Sequence, residues 1–250
     1  MPEQHGYTTG TPSWVDVSTP DPDGARRFYT GLFGWSYEVG EERFAHYTNA
    51  LLDGHVIAGL GPAQPEAPPM WGTYLHTEDL AGTVERVRAA GGTVVVEPMP
   101  IGDFGSMALA ADPTGALIGF WQPDKHRGAG LVNEPGALVW NELRTTDVAT
   151  AKSFYANVFD YTFSEVRGAP ECPVFQLGER QVASAEPVHR EEERPHWLVY
   201  FGTSDVDATA ARATELGGSV AEEPSDTAYG RMAVLADPWG AEFAVLHLPD

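Results

Sequence analysis

Apolar and polar side chains alternate along residues 12–19, Pro-Ser-Trp-Val-Asp-Val-Ser-Thr, and again along 139–145, and a period of two predicts strands with one face turned inward. Past Asp21 the period lengthens: Phe28, Tyr29, Leu32 and Phe33 fall at helical spacing, with Asp23 placed to cap them. A second helix is predicted where Leu80, Val84, Val87 and Ala90 form one stripe, ended by Gly91-Gly92 in the manner of a left-handed C-terminal cap. Short apolar runs follow at 94–96, 107–110 and 116–121, the last two joined by the turn Asp112-Pro113-Thr114-Gly115. The predicted unit is strand, helix, three strands.

The chain contains this pattern repeatedly. Trp14, Asp16, Thr19, Asp21, Phe28-Tyr29 and Phe33 return as Trp140, Glu142, Thr145, Asp147, Phe154-Tyr155 and Phe159. Trp71, Tyr74, Thr77, Asp79 and Gly91-Gly92 return as Trp197, Tyr200, Thr203, Asp205 and Gly217-Gly218, all displaced by 126 residues. Asp21 and Asp79, and likewise Asp147 and Asp205, also stand 58 residues apart, so four modules of about 55 residues describe the chain. The expected architecture is α+β, four βαβββ modules paired into two domains at 10–124 and 137–250, joined by the Gly-rich polar linker 125–136.

Composition narrows the partners. A hydrophobic content of 42% suffices for two cores, while a net charge of −21 argues against nucleic acid or an anionic membrane surface, both polyanions. No apolar run approaches the ~18 residues of a membrane span and the first residues do not read as a secretion signal, so a cytoplasmic protein, monomer or homodimer, is expected. Cys172, the one cysteine, excludes an intrachain disulfide and reads as a loop or strand-edge thiol.

The strand-Asp-x(6)-Phe-Tyr pattern, the helix-Gly-Gly pattern and Asp-Pro-x-Gly-Ala before a last apolar strand together resemble the vicinal oxygen chelate superfamily, the glyoxalase, bleomycin-resistance and extradiol-dioxygenase group. Within it they are similar to the tandem glyoxalase-like proteins of actinobacteria. The resemblance implies a sheet curled into a cup, with a ligand inside and a divalent metal held by His, Gln or Glu from four strands. The corresponding positions here are Trp14, Gly72 and Gly119, with the fourth near Ala58, and Trp140, Leu198 and Ala244, with the fourth near Ala183. None offers a metal donor, so neither metal nor other cofactor is expected. A displaced site built from Asp16, His46 and His76 is the competing reading.

Strand parity places Trp14, Asp16, Ser18, Tyr74, His76 and Trp121 in the first cup and Trp140, Glu142, Arg144, Tyr200 and Leu246 in the second. A carboxylate among aromatic walls is hard to ionise and suits proton transfer, and flat walls suit a planar or apolar ligand. The first cup is expected to work, with Asp16 as acid or base assisted by Tyr74, His46 or His76, and with Trp14, Ser18, Tyr47 and Trp121 around the ligand. In the second, Trp140 and Tyr200 are expected to flank Glu142, which Arg144 holds as a structural ion pair, with Arg231 as a further counterion. The expected function is metal-independent dehydration, cyclisation or isomerisation of an aromatic, polyketide-like metabolite. Sequestration of such a molecule and metal-dependent glyoxalase or dioxygenase chemistry are the alternatives.

Overall fold

A computed structural model describes residues 6–166 and 169–247, which form two mixed eight-stranded sheets backed by four helices, an α+β fold. The first half runs β1 (Pro12–Thr19), α1 (Pro22–Phe33), β2 (Ser36–Val39), β3 (Thr48–Leu52), β4 (His55–Pro62), β5 (Met70–His76), α2 (Leu80–Ala89), β6 (Thr93–Ile101), β7 (Gly105–Ala111) and β8 (Leu117–Pro123). The second runs β9 (Leu138–Thr145), α3 (Val148–Phe159), β10 (Thr162–Val166), β11 (Ala169–Leu177), β12 (Arg180–Pro187), β13 (His196–Thr203), α4 (Val206–Glu215), β14 (Ser219–Thr227), β15 (Gly230–Ala236) and β16 (Glu242–His247). Strand orders β2-β3-β4-β1-β5-β8-β7-β6 and β10-β11-β12-β9-β13-β16-β15-β14 put two βαβββ modules side by side in each sheet, joined through antiparallel β1–β5 and β9–β13.

The aspartates that mark the repeat are the helix N-caps. Asp21, Asp79, Asp147 and Asp205 each accept a hydrogen bond from the backbone N–H three residues on, satisfying a donor that the first helical turn leaves free. Asp23, the residue expected to cap α1, lies one turn-position inside it and pairs with Arg26 instead, because Pro22 takes the first helical position.

The cores cross between halves. Phe28 and Tyr29 of α1 pack with Phe201 and Phe243 of the second sheet, while Val84 and Val87 of α2 share a core with Phe154 and Tyr155 of α3. Two equivalent hydrogen-bond chains tie the halves. Trp71 Nε1 donates to Tyr29 Oη, which donates to Asp237 Oδ2 (2.9 and 3.2 Å), and Trp197, Tyr155 and Asp112 repeat this at the same distances. The remaining oxygen of each aspartate accepts backbone N–H groups of its own Asp-Pro-x-Gly turn. Tyr29→Phe leaves a buried indole donor and a buried carboxylate oxygen short of a partner, which costs about 1–3 kcal/mol. Thermal melting should fall by about 2–4 °C for each of those kcal/mol, and an unchanged melt would show that the chain of bonds is not what holds the halves.

The segment between the sheets is packed. Ala129 and Leu131 are buried, Ala129 N donates to Ser13 O and Gly130 N to Val56 O (2.8 and 2.7 Å), so it is a strap across the first sheet.

Candidate functional site

Each sheet presents a carboxylate at the middle of its concave face, and in both an indole and a hydroxyl are bonded to it in the same order. In the first cup Asp16 pairs across to Gly72 and Gly59, and its Oδ2 accepts from Tyr47 Oη (2.9 Å) and Tyr74 Oη (3.2 Å), while Trp14 Nε1 donates to Tyr47 Oη (2.9 Å). In the second, Glu142 pairs across to Leu198 and Ser184. Its oxygens accept from Tyr200 Oη (2.7 Å) and Ser184 Oγ (3.2 Å), and Trp140 Nε1 donates to Ser184 Oγ (2.9 Å). The Tyr47 hydroxyl and the Ser184 hydroxyl therefore hold the same station between indole and carboxylate.

What differs is the space around them. Tyr47 lies across the glycines of β4: a Cβ added at Gly59 would overlap its hydroxyl, and one at Gly61 would come to 3.1 Å from its ring. Tyr74 likewise covers Gly119. His126, from the strap, closes the first cup further, with its ring 4.3 Å from Trp14 and 5.5 Å from Trp121, and burial pushes its pKa down to about 4. The centre of the first cup is thus occupied by the chain's own rings.

In the second cup, Cys172 stands at the position Tyr47 has in the first, two residues before the β11 partner of Ser184, and puts a thiol where the first cup has a phenol. A cavity of about 510 Å³ opens there, lined by Trp140, Glu142, Cys172, Ser184, Tyr200 and Met232, with Tyr229 at its rim. Small-molecule sites fall in the range of roughly 300–1,000 Å³. Burial, reinforced by neighbouring Glu186 and opposed by Arg144 and Tyr200, raises the Glu142 carboxyl from 4.5 to about 8. Asp16 rises only to about 6, since the burial that lifts it is offset by the Tyr47 and Tyr74 hydroxyls. Burial and the surrounding Glu186, Glu171 and Glu142 push the Cys172 thiol up to about 11, which leaves it an unreactive wall.

Arg144 lies beneath Glu142 with a fully buried side chain. It is not the private partner of Glu142: its Nη1 and Nη2 bond Glu222, its Nε lies 3.1 Å from Glu186 and 3.6 Å from Glu142, and Nη1 lies 3.6 Å from Glu193. One cation divided among four carboxylates lies closer to Glu186 and Glu222 than to Glu142, which leaves burial to dominate and Glu142 free to hold a proton. Burial works against the charge of Glu222 too, but its bonds to Arg144 outweigh that and keep it below the usual glutamate range.

Several expected positions fall elsewhere. His46 is exposed at a turn of positive φ, its Nδ1 3.1 Å from Gly40 O, and does not reach Asp16. His76 is buried beside Tyr7, where burial lowers its pKa, and it does not join the Asp16 cluster. Arg231 belongs to the helix side: Met232 pairs with Leu246 toward the cup, so Arg231 points away and binds Asp207 of α4 and Asp226. Ser18 only approaches Met70 O, at 3.5 Å. Trp121 lines the first cup and donates to His126 O (2.8 Å). The register near Ala58 and Ala183 is off by one residue: both are buried under the helices, and Gly59 and Ser184 face the cups.

The donor set does not suit a divalent metal. The positions where the fold implies ligands carry Trp14, Gly72, Gly119 and Gly59 in one cup and Trp140, Leu198, Ala244 and Ser184 in the other. Among the described residues no three His, Cys, Asp or Glu side chains converge on a metal position. Where carboxylates do gather, the Arg144 guanidinium stands between them.

The sequence model of the Glyoxalase/Bleomycin resistance protein/Dioxygenase superfamily matches residues 11–120 and again 137–245. The chain is 42% identical to CFP32 of Mycobacterium tuberculosis, whose name assigns it provisionally to the glyoxylases, over 98% of both chains. It is 37% identical to the anthracycline biosynthesis protein DnrV of Streptomyces peucetius, over 97% of this chain and 94% of that one. In fold it is similar to the Mn(II)-bound glyoxalase of Novosphingobium aromaticivorans (TM-score 0.68, 17% identity, 96% of this chain and 83% of that one). The 2,3-dioxygenase LapB of Pseudomonas sp. KL28 is similar to the same degree (TM-score 0.68, 14% identity, 96% and 93%).

Proposed function

Because the chain belongs to the Glyoxalase/Bleomycin resistance protein/Dioxygenase superfamily, in which the concave face of the sheet is the ligand's place, we propose that its second cup binds a planar aromatic metabolite and moves a proton on it without metal, Glu142 serving as the shuttle. The observation that carries this reading is a carboxyl raised to about 8 on the wall of a 510 Å³ cavity. A group near the working pH can both take and return a proton. Tyr200 and Ser184 fix the orientation of its two oxygens. Ionised Glu142 would withdraw a proton from carbon next to a carbonyl, and the neutral acid would deliver it to a leaving hydroxyl in dehydration, to another carbon in isomerisation, or, in cyclisation, to the oxygen of a second carbonyl whose π bond opens as the carbanion attacks its carbon.

Trp140, Tyr200 and Met232 supply flat and soft apolar contact for such a ligand. Two relatives are named for anthracycline biosynthesis, and anthracyclines are fused-ring aromatics, which supports a role in secondary metabolism. The lack of donors at the implied metal positions supports metal-independent chemistry.

The test is incubation with a panel of fused-ring hydroxyketones in D2O, followed by mass spectrometry for conversion or deuterium uptake. Exchange or conversion that disappears in Glu142→Gln is the expected result. Tight binding with neither would make the protein a sequestering one, and an absence of binding across the panel would remove the cup reading altogether.

A further inference from the structure

The two cups, compared residue by residue, state what the second one accepts. Asp16 with Glu142, Trp14 with Trp140 and Tyr74 with Tyr200 are equivalent in register and in hydrogen bonding. Within that shared frame the station between indole and carboxylate is exchanged: Tyr47 over Gly59 in the first cup, Cys172 over Ser184 in the second. The exchange conserves the hydroxyl, which Tyr47 supplies in one case and Ser184 in the other, between the indole N–H and the carboxylate. It does not conserve the ring. The first cup keeps a six-membered aromatic ring next to its carboxylate, and the second has a void bounded by Cys172 and Ser184.

From this juxtaposition we infer that Tyr47 is a tethered stand-in for the ligand: an aryl ring of the second cup's substrate seats against Cys172 with its edge toward Ser184 and Glu142, and the chain binds one such ligand, not two. The inference rests on the proposed function for the identity of the working cup, and it adds the two residues, Cys172 and Ser184, that decide whether a ring enters. Chemically the fit is apt. A thiol raised to about 11 is neutral and offers a polarizable surface beside a π face, and it is too weak a nucleophile at neutral pH to react with the ligand. An aryl edge near Glu142 would present a ring hydroxyl, or the carbon next to a ring carbonyl, to the group that titrates.

The exchange can be made in both directions. Cys172→Tyr with Ser184→Gly carries the first cup's plug into the second, where a glycine at 184 makes room for the phenol as Gly59 does for Tyr47. Tyr47→Cys with Gly59→Ser carries the open arrangement into the first cup, with the serine hydroxyl keeping Asp16 and Trp14 bonded. The probe is 4-fluorophenol, a single hydroxylated ring, followed by fluorine NMR on the full chain, with melting curves to show that each variant is folded. The native chain should give one bound resonance at saturation. The plugged second cup should lose it, with affinity down at least tenfold, and the opened first cup should add a second resonance of different shift.

A native resonance that survives Cys172→Tyr/Ser184→Gly in a folded protein would overturn the inference, as would a first-cup variant that gains no site. No binding by the native chain, but one site in the opened first cup, would reject the proposed function while leaving the equivalence of the two ring positions standing. No binding by either would reject both. If the double variants do not fold, Cys172→Leu alone, which fills the near part of the same space and stops short of Ser184, gives the same reading of the second cup.

Discussion

Glu142→Gln is expected to lower turnover by ~10²–10⁴-fold while making the folded protein more stable at pH 8. The amide keeps the shape and can still meet Tyr200 and Ser184, so ligand affinity should stay within a few-fold while the proton equilibrium is gone. The stability gain follows from the sign of the shift. An unfolded chain ionises this carboxyl at its ordinary 4.5, but the folded one holds its proton to about 8, so the stability present below pH 4.5 is lost as pH rises toward 8. That difference corresponds to about 5 kcal/mol at most. The value of about 8 already contains the pull of Arg144, and glutamine must fit an NH2 group where the acid has an oxygen, so the expected net gain is about 2–3 kcal/mol, or about 4–12 °C in melting temperature. The two melting curves should converge near pH 4.5 and separate above it. Equal melting at pH 8 would mean that the carboxyl is not held protonated in the fold. With the native chain, proton withdrawal by Glu142 as proposed should rise with pH and level off above about 8, and the same limb should be missing from the glutamine variant.

Arg144→Met is the second large effect, in the opposite direction. Its guanidinium is the cation that Glu142, Glu186, Glu193 and Glu222 share, and its side chain is wholly buried. Methionine fills much of the volume and withdraws the charge, which leaves carboxylates facing one another in a poorly hydrated site. Breaking a buried pair by removing one partner costs about 3–5 kcal/mol, and four acceptors place this case at the upper end. Melting at pH 8 should fall by about 10 °C or more. Lowering the pH to 5 should recover part of that loss, because Glu222, which Arg144 holds below the usual glutamate range, takes up a proton more readily once that counterion is gone. A variant that melts as the native chain does at pH 8 would show the carboxylates to be neutral already. Paired with the first prediction, it divides the cluster into a member whose charge the fold resists and a group whose charge it needs.

Much of the fold was legible because its signals are local. Period-two and helical runs gave the elements, and the aspartates at intervals of 58 and 126 residues gave the modules, since an N-cap needs a short oxygen-bearing side chain at a fixed place. The carboxylates at the centre of each cup and their Trp and Tyr neighbours followed from strand parity once the family resemblance had set Trp14 and Trp140 on the ligand's face. The balance between the cups did not. Tyr47 precedes β3 in a segment with no period, so nothing in its neighbourhood announces that its ring crosses β4. The partner of Arg144 was read as Glu142 from a separation of two residues, whereas Glu186, Glu193 and Glu222 reach it from other strands and a loop at distances the sequence does not encode. His126 lies in the polar linker and enters the first cup only because the strap packs down. Position along the chain predicts which face a residue takes, and volume at long sequence separation decides what that face can hold.

The crossing of the cores has a consequence for how such a protein can change over generations. Two half-length chains assembled as twins would inherit every substitution in duplicate, so a tyrosine that blocked one cup would block both. Covalent fusion of the two copies breaks that bond. With α1 docked on the opposite sheet and α2 on α3, each half supplies part of the other's core whatever its cup contains. A gene of this design can therefore give up one binding site and keep that half as permanent scaffolding for the other, a division of labour closed to a symmetric pair of half-length chains.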